Sequence, residues 1–315
     1  MHNKIISAAL CLMLSCSAHA DGEKIAVFTK NLTNPLFAAI RAGADNAAKQ
    51  MNATTQHYVP TKPDSIPEQM SAIEDVVVKK PDAIVFIPVD SKAMVPGVTK
   101  INTANIPVVN INDRAAGGKF VSFVGGDDYE LGLATARFLL KTMGGKGNVV
   151  IIEGVKGAST NQDRIRGFKK ALEENPGVKL LASQTGNYQR LQALQVMENL
   201  MQTFPQIDGV LAANDAMATG VIEAMAAANR KALVIGVNGT GIDEVKQGKL
   251  LATGDYAGFQ QGCLGTMAAI RHLRKLPVPP EVLFPPILIT QANVASYEVP
   301  ADKRSCPKWE DIVKK

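Results

Sequence analysis

The sequence has 315 residues, of which 46% are hydrophobic, 20% are charged and 5% are aromatic, and its formal net charge is +5. The positive charge is spread along the chain without a basic run, and the few aromatic residues are not interleaved with it. This composition argues against a protein that binds nucleic acid. No segment after residue 20 holds about 18 uninterrupted apolar residues, which argues against a membrane-spanning helix.

The first 20 residues have the pattern of a cleavable export signal. Lys4 supplies a positive charge, residues 5–14 are mostly apolar, and Ala18-His19-Ala20 is a small-x-small cleavage sequence. An ordinary buried helix is the alternative. Cys16 is not preceded by the small residues of a lipoprotein signal. We therefore expect cleavage after Ala20 and a free periplasmic protein, with enough chain left for two domains of about 150 residues.

After the predicted signal, short β-rich runs alternate with amphipathic segments of helical length. The runs predict strands at Lys24–Thr29, Thr54–Val59, Ala83–Ile87, Val108–Ile111, Val121–Val124, Asn148–Ile152, Lys179–Ser183, Gly209–Ala212, Leu233–Val237 and Leu251–Thr253. The segments predict helices at roughly Pro35–Met51, Ile66–Lys79, Ala93–Ala104, Glu130–Met143, Thr160–Glu174, Gln189–Thr203, Ala216–Ala228 and Phe259–Arg274. Because the strands are continuous apolar runs, they fit parallel strands buried on both faces. The sequence predicts an α/β fold of two doubly wound parallel sheets.

The chain lacks the signatures of common catalytic sites. It has neither a G-x-x-x-x-G-K-[ST] phosphate loop nor a G-x-S-x-G nucleophile elbow, and no G-x-G-x-x-G follows the first strand. His57 and His272 are far apart and have no Cys or His neighbours in the sequence, which argues against a metal site. We expect a protein that is not an enzyme and holds no cofactor or metal.

Two cysteines lie outside the predicted signal, Cys263 and Cys306. Exported proteins reach an oxidising compartment, where a pair of cysteines favours one disulfide. This bond would attach the C-terminal tail to an earlier helix. Two free thiols are the alternative, because the sequence does not show how close the two residues lie.

Several predicted strands are followed by polar or aromatic residues, at the edge where open parallel sheets bind ligands. These residues are Lys30, Asn34, Phe37, Asp113, Arg114, Arg164, Tyr188, Asn214 and Asn238. Charged groups can pair with hydroxyls while rings cover C–H faces, so the set predicts a polyhydroxylated ligand. Structural explanations remain open: a surface ion pair for Asp113 with Arg114, a bond from Arg164 to Asp163 or Glu153, and helix caps for Asn34 and Asn214.

Five segments resemble motifs of the ribose-binding-type periplasmic sugar receptors and occur in the family's order. They are Lys30-Asn-Leu-Thr-Asn34-Pro35-Leu-Phe37, Ile106-Pro-Val-Val-Asn-Ile-Asn-Asp113-Arg114, Arg164-Ile-Arg-Gly167-Phe168, Asn214-Asp215-Ala-Met217-Ala-Thr-Gly220 and Val234-Ile-Gly236-Val-Asn238-Gly239. The resemblance runs from about residue 24 to residue 291. It implies a type I periplasmic binding protein fold of two Rossmann-like domains, residues 21–126 plus 257–286 and residues 127–256 plus 287–315.

The resemblance also implies three hinge crossings between the domains, near Gly126–Asp128, Tyr256–Ala257 and Ile287–Ile289. Closure about these hinges would trap a small ligand and present the closed surface to an ABC permease. We expect such a receptor to be a monomer. A repressor of the same fold would need an N-terminal helix-turn-helix segment, and this chain has the predicted signal there. A receptor for a membrane sensor kinase stays open, because its capture mechanism would be identical.

Carried over position by position, the family's ligand contacts fall on Lys30, Asn34, Leu36, Phe37, Ile87, Asp113, Arg114, Arg164, Tyr188, Asn214, Val237, Asn238 and Tyr256. Several depart from the ribose receptors: Lys30 replaces Ser, as in the similar allose receptor, Leu36 replaces Phe, Ile87 replaces Asn, Asn238 replaces Asp and Tyr256 replaces Gln.

These departures change the charge expected at the site. Lys30, Arg114 and Arg164 against Asp113 alone give a sum of +2. An uncompensated buried charge is costly, so an anionic ligand such as a sugar acid or a small aromatic carboxylate is one hypothesis. We favour a neutral sugar or polyol, because the allose receptor also carries Lys at the position of Lys30 and a nearby carboxylate, such as Asp90 or Asp215, could balance the excess.

Overall fold

The structure of the protein, a computed structural model, describes residues 22–299 and 303–313. The predicted export signal and its cleavage site lie outside these residues. The strands are β1 (Lys24–Phe28), β2 (Thr54–Tyr58), β3 (Ala83–Phe86), β4 (Val108–Ile111), β5 (Ser122–Gly126), β6 (Gly147–Glu153), β7 (Val178–Thr185), β8 (Gly209–Ala212), β9 (Leu233–Asn238), β10 (Ala252–Asp255), β11 (Glu281–Phe284) and β12 (Ile287–Ile289). The helices are α1 (Pro35–Gln50), α2 (Ile66–Lys79), α3 (Val95–Thr103), α4 (Asp128–Thr142), α5 (Ser159–Glu173), α6 (Arg190–Thr203), α7 (Asp215–Ala227), α8 (Ile242–Lys246), α9 (Gly258–Leu273) and α10 (Trp309–Ile312).

The strands form two sheets of six. The first has the order β11-β5-β4-β3-β1-β2 and the second the order β12-β10-β9-β8-β6-β7. All neighbouring strands are parallel except β12, which is antiparallel to β10. All four residues of β3, β4 and β8 are buried, as continuous apolar strands between helical layers require. The predicted α/β fold with two doubly wound sheets is confirmed.

Each of the ten predicted strands and eight predicted helices is present in the structure. Two short strands, β11 and β12, and two short α-helices, α8 and α10, were not predicted. They have three to five residues each, too few to show a periodic pattern. Within the described ranges, no helix is long and apolar enough to cross a membrane.

The chain passes between the two sheets three times. It leaves the first sheet after β5 and enters α4, which packs on β9 and β10, and it returns after β10 into α9, which packs on β3, β4 and β5. The third passage joins β11 to β12, between Phe284 and Ile287. Neither half of the molecule is therefore built from one continuous stretch of chain.

The C-terminal tail joins the two halves a fourth time. Glu298 pairs with Lys246 of α8 at 2.8 Å, on the side of the second sheet. Cys306 is bonded to Cys263 of α9 with their Cα atoms 5.5 Å apart, which confirms the predicted disulfide. Trp309 is buried under the Arg271 guanidinium, which lies 4.8 Å from the indole ring. Residues 303–313, assigned above to the second domain, thus lie on a helix of the first sheet.

Helices α1 and α9 approach so closely that only glycine fits at their contact. A Cβ atom at Gly262 would lie 1.9 Å from the carbonyl oxygen of Ile40, and one at Gly43 would lie 2.0 Å from that of Phe259. We expect Gly262→Ala to lower the free energy of unfolding by about 2–3 kcal/mol, because the helices must move apart. Urea unfolding of this variant beside Gln260→Ala, an exposed change on the same helix, would measure it. Equal midpoints would contradict the close packing.

Candidate ligand-binding site

A small cavity lies between the two sheets, where the carboxyl ends of their parallel strands face each other. It is lined by Lys30, Asn34, Leu36, Phe37, Asn112, Asp113, Thr160, Arg164, Tyr188 and Asn238. The first six follow β1 and β4 of the first sheet, and the other four follow β6 and β7 or end β9 of the second. Such an edge is where open α/β sheets bind ligands. The volume of the cavity is about 10 Å³, room for about one water molecule.

The structure brings eight of the predicted contacts to this cavity. They are Lys30, Asn34, Leu36, Phe37, Asp113, Arg164, Tyr188 and Asn238. Two further lining residues, Asn112 and Thr160, were not predicted. Asn112 directly precedes Asp113 at the end of β4, and Thr160 lies in the first turn of α5. Position at a strand end or helix start is the signal that marks both residues.

Arg114 does not line the cavity. Its Nη1 donates a hydrogen bond to Glu281 at 2.8 Å, its guanidinium lies 3.6 Å from the centre of the Phe123 ring, and 44% of its side chain is exposed. Asp113 is buried beside it. The chain bends at Asn112 and Asp113, directly after β4, so Arg114 does not continue the line of the strand.

Four other predicted contacts lie behind the cavity wall. Ile87 and Val237 are fully buried in the hydrophobic core. Asn214 caps α7 by accepting a hydrogen bond from the backbone N–H of Met217 at 2.9 Å, and its Nδ2 donates to the Tyr188 carbonyl at 3.3 Å. Tyr256 packs behind Arg164 and is 1% exposed. Asn214 and Tyr256 thus contact Tyr188 and Arg164, which line the cavity.

Lys30 is held by two carboxylates. Its Nζ lies 3.0 Å from Oδ2 of Asp113 and 3.4 Å from Oδ1 of Asp64. Burial lowers the pKa of Lys30, but attraction to Asp113 and Asp64 outweighs it, and the pKa lies above its ordinary value. Burial alone would raise the pKa of Asp113, yet Lys30 and the Thr160 backbone N–H bring it below its ordinary value. Both groups are therefore charged at neutral pH.

Arg164 is fixed on three sides. Its Nε donates to Asp128 at 2.7 Å, and its Nη1 donates to the Ala213 carbonyl at 2.8 Å and to Asn238 at 3.2 Å. Burial raises the pKa of Asp128 to about 6, although Arg164 acts in the opposite direction. The Nη2 group has no hydrogen-bond partner among residues 22–299 and 303–313.

These pairs correct the predicted charge of +2. Two buried cations, Lys30 and Arg164, face the carboxyl groups of Asp64, Asp113 and Asp128, while Arg114 lies outside. The carboxylates named above as possible counterions lie elsewhere: Asp215 accepts hydrogen bonds from Thr240, Gly241 and Thr253, and Asp90 from Lys92 and Ala93. The cavity carries no uncompensated positive charge that would require an anionic ligand.

The polar atoms left for a ligand are mainly donors. Oδ1 of Asn34 accepts from the Leu36 backbone, and Oδ1 of Asn238 accepts from Arg164. Each amide therefore keeps its Nδ2 group, which has no partner in the described chain. The Asp113 carboxylate accepts hydrogen bonds from Lys30, from the backbone of Thr160 and, at 3.4 Å, from Ser159 Oγ, and it keeps a further lone pair. Hydroxyl groups can meet both kinds of partner.

Three lining residues have left-handed backbone conformations: Asn112 with φ 64°, Tyr188 with φ 59° and Asn238 with φ 125°. These conformations cost energy, most of all for a bulky residue such as Tyr188. Such strain clusters at sites where side-chain direction matters more than local stability.

Hydrogen bonds cross the cavity from one half of the molecule to the other. Thr160 N–H donates to Asp113 at 3.0 Å, and Thr33 Oγ1 donates to Gln189 Oε1 at 2.9 Å. The backbone N–H of Ser91 donates to the Gly157 carbonyl at 2.9 Å. The two halves are therefore closed on each other in this structure.

Comparisons with known proteins agree with this architecture. The family model described as "Periplasmic binding protein domain" matches residues 25–276. A ribose import binding protein of Haemophilus influenzae is 30% identical over 88% of this chain and 97% of its own length. The D-allose-binding periplasmic protein of Escherichia coli is 32% identical over 77% of this chain and 81% of its own. Both are named as binding proteins and not as enzymes.

A solved structure is similar over nearly the whole chain. The periplasmic solute-binding protein of an ABC transporter from Actinobacillus succinogenes, with bound D-allose, is 35% identical, covers 87% of this chain and 100% of its own, and superposes with a TM-score of 0.82. The family match spans well over half of the sequence, and the two sheets face each other across a cavity at their strand ends. The chain therefore belongs to the periplasmic binding protein family.

Proposed function

We propose that the protein is a periplasmic receptor that captures a neutral sugar or polyol between its two sheets and delivers it to an ABC permease. The observation that carries the proposal is the cavity itself. Its cations are paired within the protein, and its free N–H groups belong to residues that line the same cavity as the ionised Asp113. A sugar hydroxyl both donates and accepts, so it can use both. Relatives named for ribose and D-allose binding support the same class of ligand.

The paired charges argue against a carboxylate ligand. Lys30 and Arg164 already contact carboxyl groups at 2.7–3.4 Å. An anion placed beside them would also approach Asp113, which is buried and ionised. Repulsion in a site of low polarity is strong, so a neutral polyol fits with less cost.

Opening of the two halves is part of the proposal. A sugar is far larger than one water molecule, so it cannot enter the cavity as it stands. Opening about the three passages between the sheets would break only a few hydrogen bonds, such as Thr33 to Gln189 and Thr160 to Asp113. We take the domains as residues 21–126 plus 257–286 and residues 127–256 plus 287–315, with residues 303–313 resting on the first. The receptor would act as an exported monomer.

Calorimetric titration of the purified protein tests this proposal. The ligands are D-ribose, D-allose and myo-inositol, together with D-galactose and D-galacturonate, which differ by one carboxylate. We expect at least one neutral compound to bind with a Kd on the order of 1 μM or tighter, because a few charge-assisted hydrogen bonds exceed the cost of association. D-galacturonate should bind more weakly than D-galactose. Tight binding of the acid with no binding of neutral compounds would overturn the proposal.

A further inference from the structure

Two residues on different passages between the sheets meet in the interior. Asp128 is the first residue of α4, directly after the first passage, and Tyr256 lies within the second. The Tyr256 hydroxyl donates to Oδ2 of Asp128 at 2.7 Å. Asp128 is 8% exposed and Tyr256 is 1% exposed. A Cβ atom at Gly126, the last residue of β5, would lie 2.9 Å from the Tyr256 ring, so the ring also packs on the first passage.

The same carboxylate holds a residue of the cavity. Oδ1 of Asp128 accepts from Nε of Arg164 at 2.7 Å, while Oδ2 accepts from Tyr256. The Arg164 guanidinium lies 4.5 Å from the centre of the Tyr256 ring. Tyr256 therefore supports Arg164 twice, through the shared carboxylate and through its ring face.

Tyr256 is also bonded to the first sheet and its helix. Its hydroxyl lies 3.2 Å from the carbonyl oxygen of Asn112, which lines the cavity, and its own carbonyl accepts from Gln261 of α9. The Asn112 side chain donates to Gln261 at 3.2 Å. Tyr256 thus contacts residues of both halves, and rotation of one half against the other would change its partners.

We propose that Tyr256 is a positioning residue that holds Asp128, and through it Arg164, in the geometry that the ligand needs. The inference rests on the proposed function, since it concerns the same cavity. Tyr256 does not touch the ligand. Its hydroxyl lies between the Asn112 carbonyl of the first half and the Asp128 carboxylate, and this carboxylate holds Arg164 through Nε. The Nη2 group of Arg164 remains unpaired. Loss of the Tyr256 hydroxyl would therefore disturb the geometry that the ligand needs.

The protonation state of Asp128 gives this proposal a distinctive readout. The charged or titratable groups that face Asp128 are Arg164, Tyr256 and, at longer range, Asp113. Burial raises the pKa of Asp128, Arg164 and the Tyr256 hydroxyl lower it, and Asp113 raises it, with a net pKa of about 6. Burial and the Asp128 charge raise the pKa of Tyr256 well above its ordinary value, so the hydroxyl stays a donor.

Tyr256→Phe keeps the ring and removes the hydroxyl. We expect the affinity for the tightest-binding sugar of the panel above to fall about tenfold at pH 7.5, the value of one hydrogen bond to a charged group. In the wild type, affinity should fall below about pH 6, where protonation removes the counterion of Arg164. In the variant this fall should begin at higher pH, because the hydrogen bond that lowers the Asp128 pKa is gone. A residue that only filled space would not move the pH profile.

Two controls make the outcome decisive. Tyr129→Phe changes the neighbour of Asp128, a partly buried tyrosine whose ring faces Arg166, and it should leave affinity and pH profile unchanged. Carboxyl ¹³C NMR titration without ligand, with the Asp128 signal assigned by its loss in Asp128→Asn, should show a higher Asp128 pKa in Tyr256→Phe. If wild type and Tyr256→Phe share one affinity and one Asp128 pKa, the positioning role is refuted. If no sugar binds the wild type, the proposed function fails, and the NMR titration still decides whether Tyr256 holds Asp128.

Discussion

Arg164→Met is expected to weaken sugar binding by about 100-fold or more and to lower the free energy of unfolding by about 3–5 kcal/mol. The binding loss follows because Nη2 of Arg164 is a free donor of the cavity. The stability loss follows because the change leaves Asp128, 8% exposed, as a buried carboxylate without its cation. Calorimetry with the tightest-binding sugar and urea unfolding at pH 7.5 would measure the two effects.

A double variant separates these two effects. Arg164→Met with Asp128→Asn removes the unpaired charge while keeping an oxygen acceptor for the Tyr256 hydroxyl. It should regain much of the lost stability without regaining affinity. A single variant as stable as the wild type would show that the buried ion pair is not maintained in solution. Recovery of binding in the double variant would show that Arg164 does not contact the ligand.

Reduction of the Cys263–Cys306 disulfide is expected to lower the free energy of unfolding by about 4 kcal/mol. The two residues are 43 positions apart, and the entropy that a cross-link of this length removes from the unfolded chain corresponds to about that value. The loss includes the packing of Trp309 under Arg271 if the tail leaves α9. Urea unfolding with and without a phosphine reductant would measure the difference.

Cys263→Ser with Cys306→Ser is the matched control. It should unfold near the midpoint of the reduced wild type and should not respond to the reductant. The intact mass of the non-reduced wild type should be two hydrogens below the mass of the dithiol. A reductant effect on the double serine variant, or a midpoint equal to that of the oxidised protein, would contradict the role assigned to the bond.

The fold was largely predictable because its main elements are long enough to carry a pattern. Strands such as β3 and β4 are continuous apolar runs, and they are buried on both faces. Strand β11 alternates between exposed and buried positions over only four residues, and it owes its place at the sheet edge to pairing with β5. Pairing partners that lie about 160 residues apart leave no local signal.

The candidate site was predictable only in part, for the same physical reason. Lys30 and Asp113 were found because each follows an apolar strand. The position of Asp113 does not show which of its two sequence neighbours faces the cavity. We therefore expected Arg114 to line the cavity, and the structure places Asn112 there instead. The counterions Asp64 and Asp128 come from a loop and from the first turn of a helix, far from their partners in sequence. A charge sum taken from strand ends alone therefore missed them.

The passages between the sheets also separate, along the chain, parts of the first half that pack together. Strands β6 to β10 of the second sheet lie within one stretch, Gly147–Asp255. The first sheet needs α9 to cover β3, β4 and β5, and β11 to form its edge. A chain made from its N-terminus therefore holds β3 to β5 with one face uncovered until α9 is made, from residue 258 onward. The half whose sequence comes first thus stays incomplete while the second is being made, and Cys306, the disulfide partner of Cys263, follows later still.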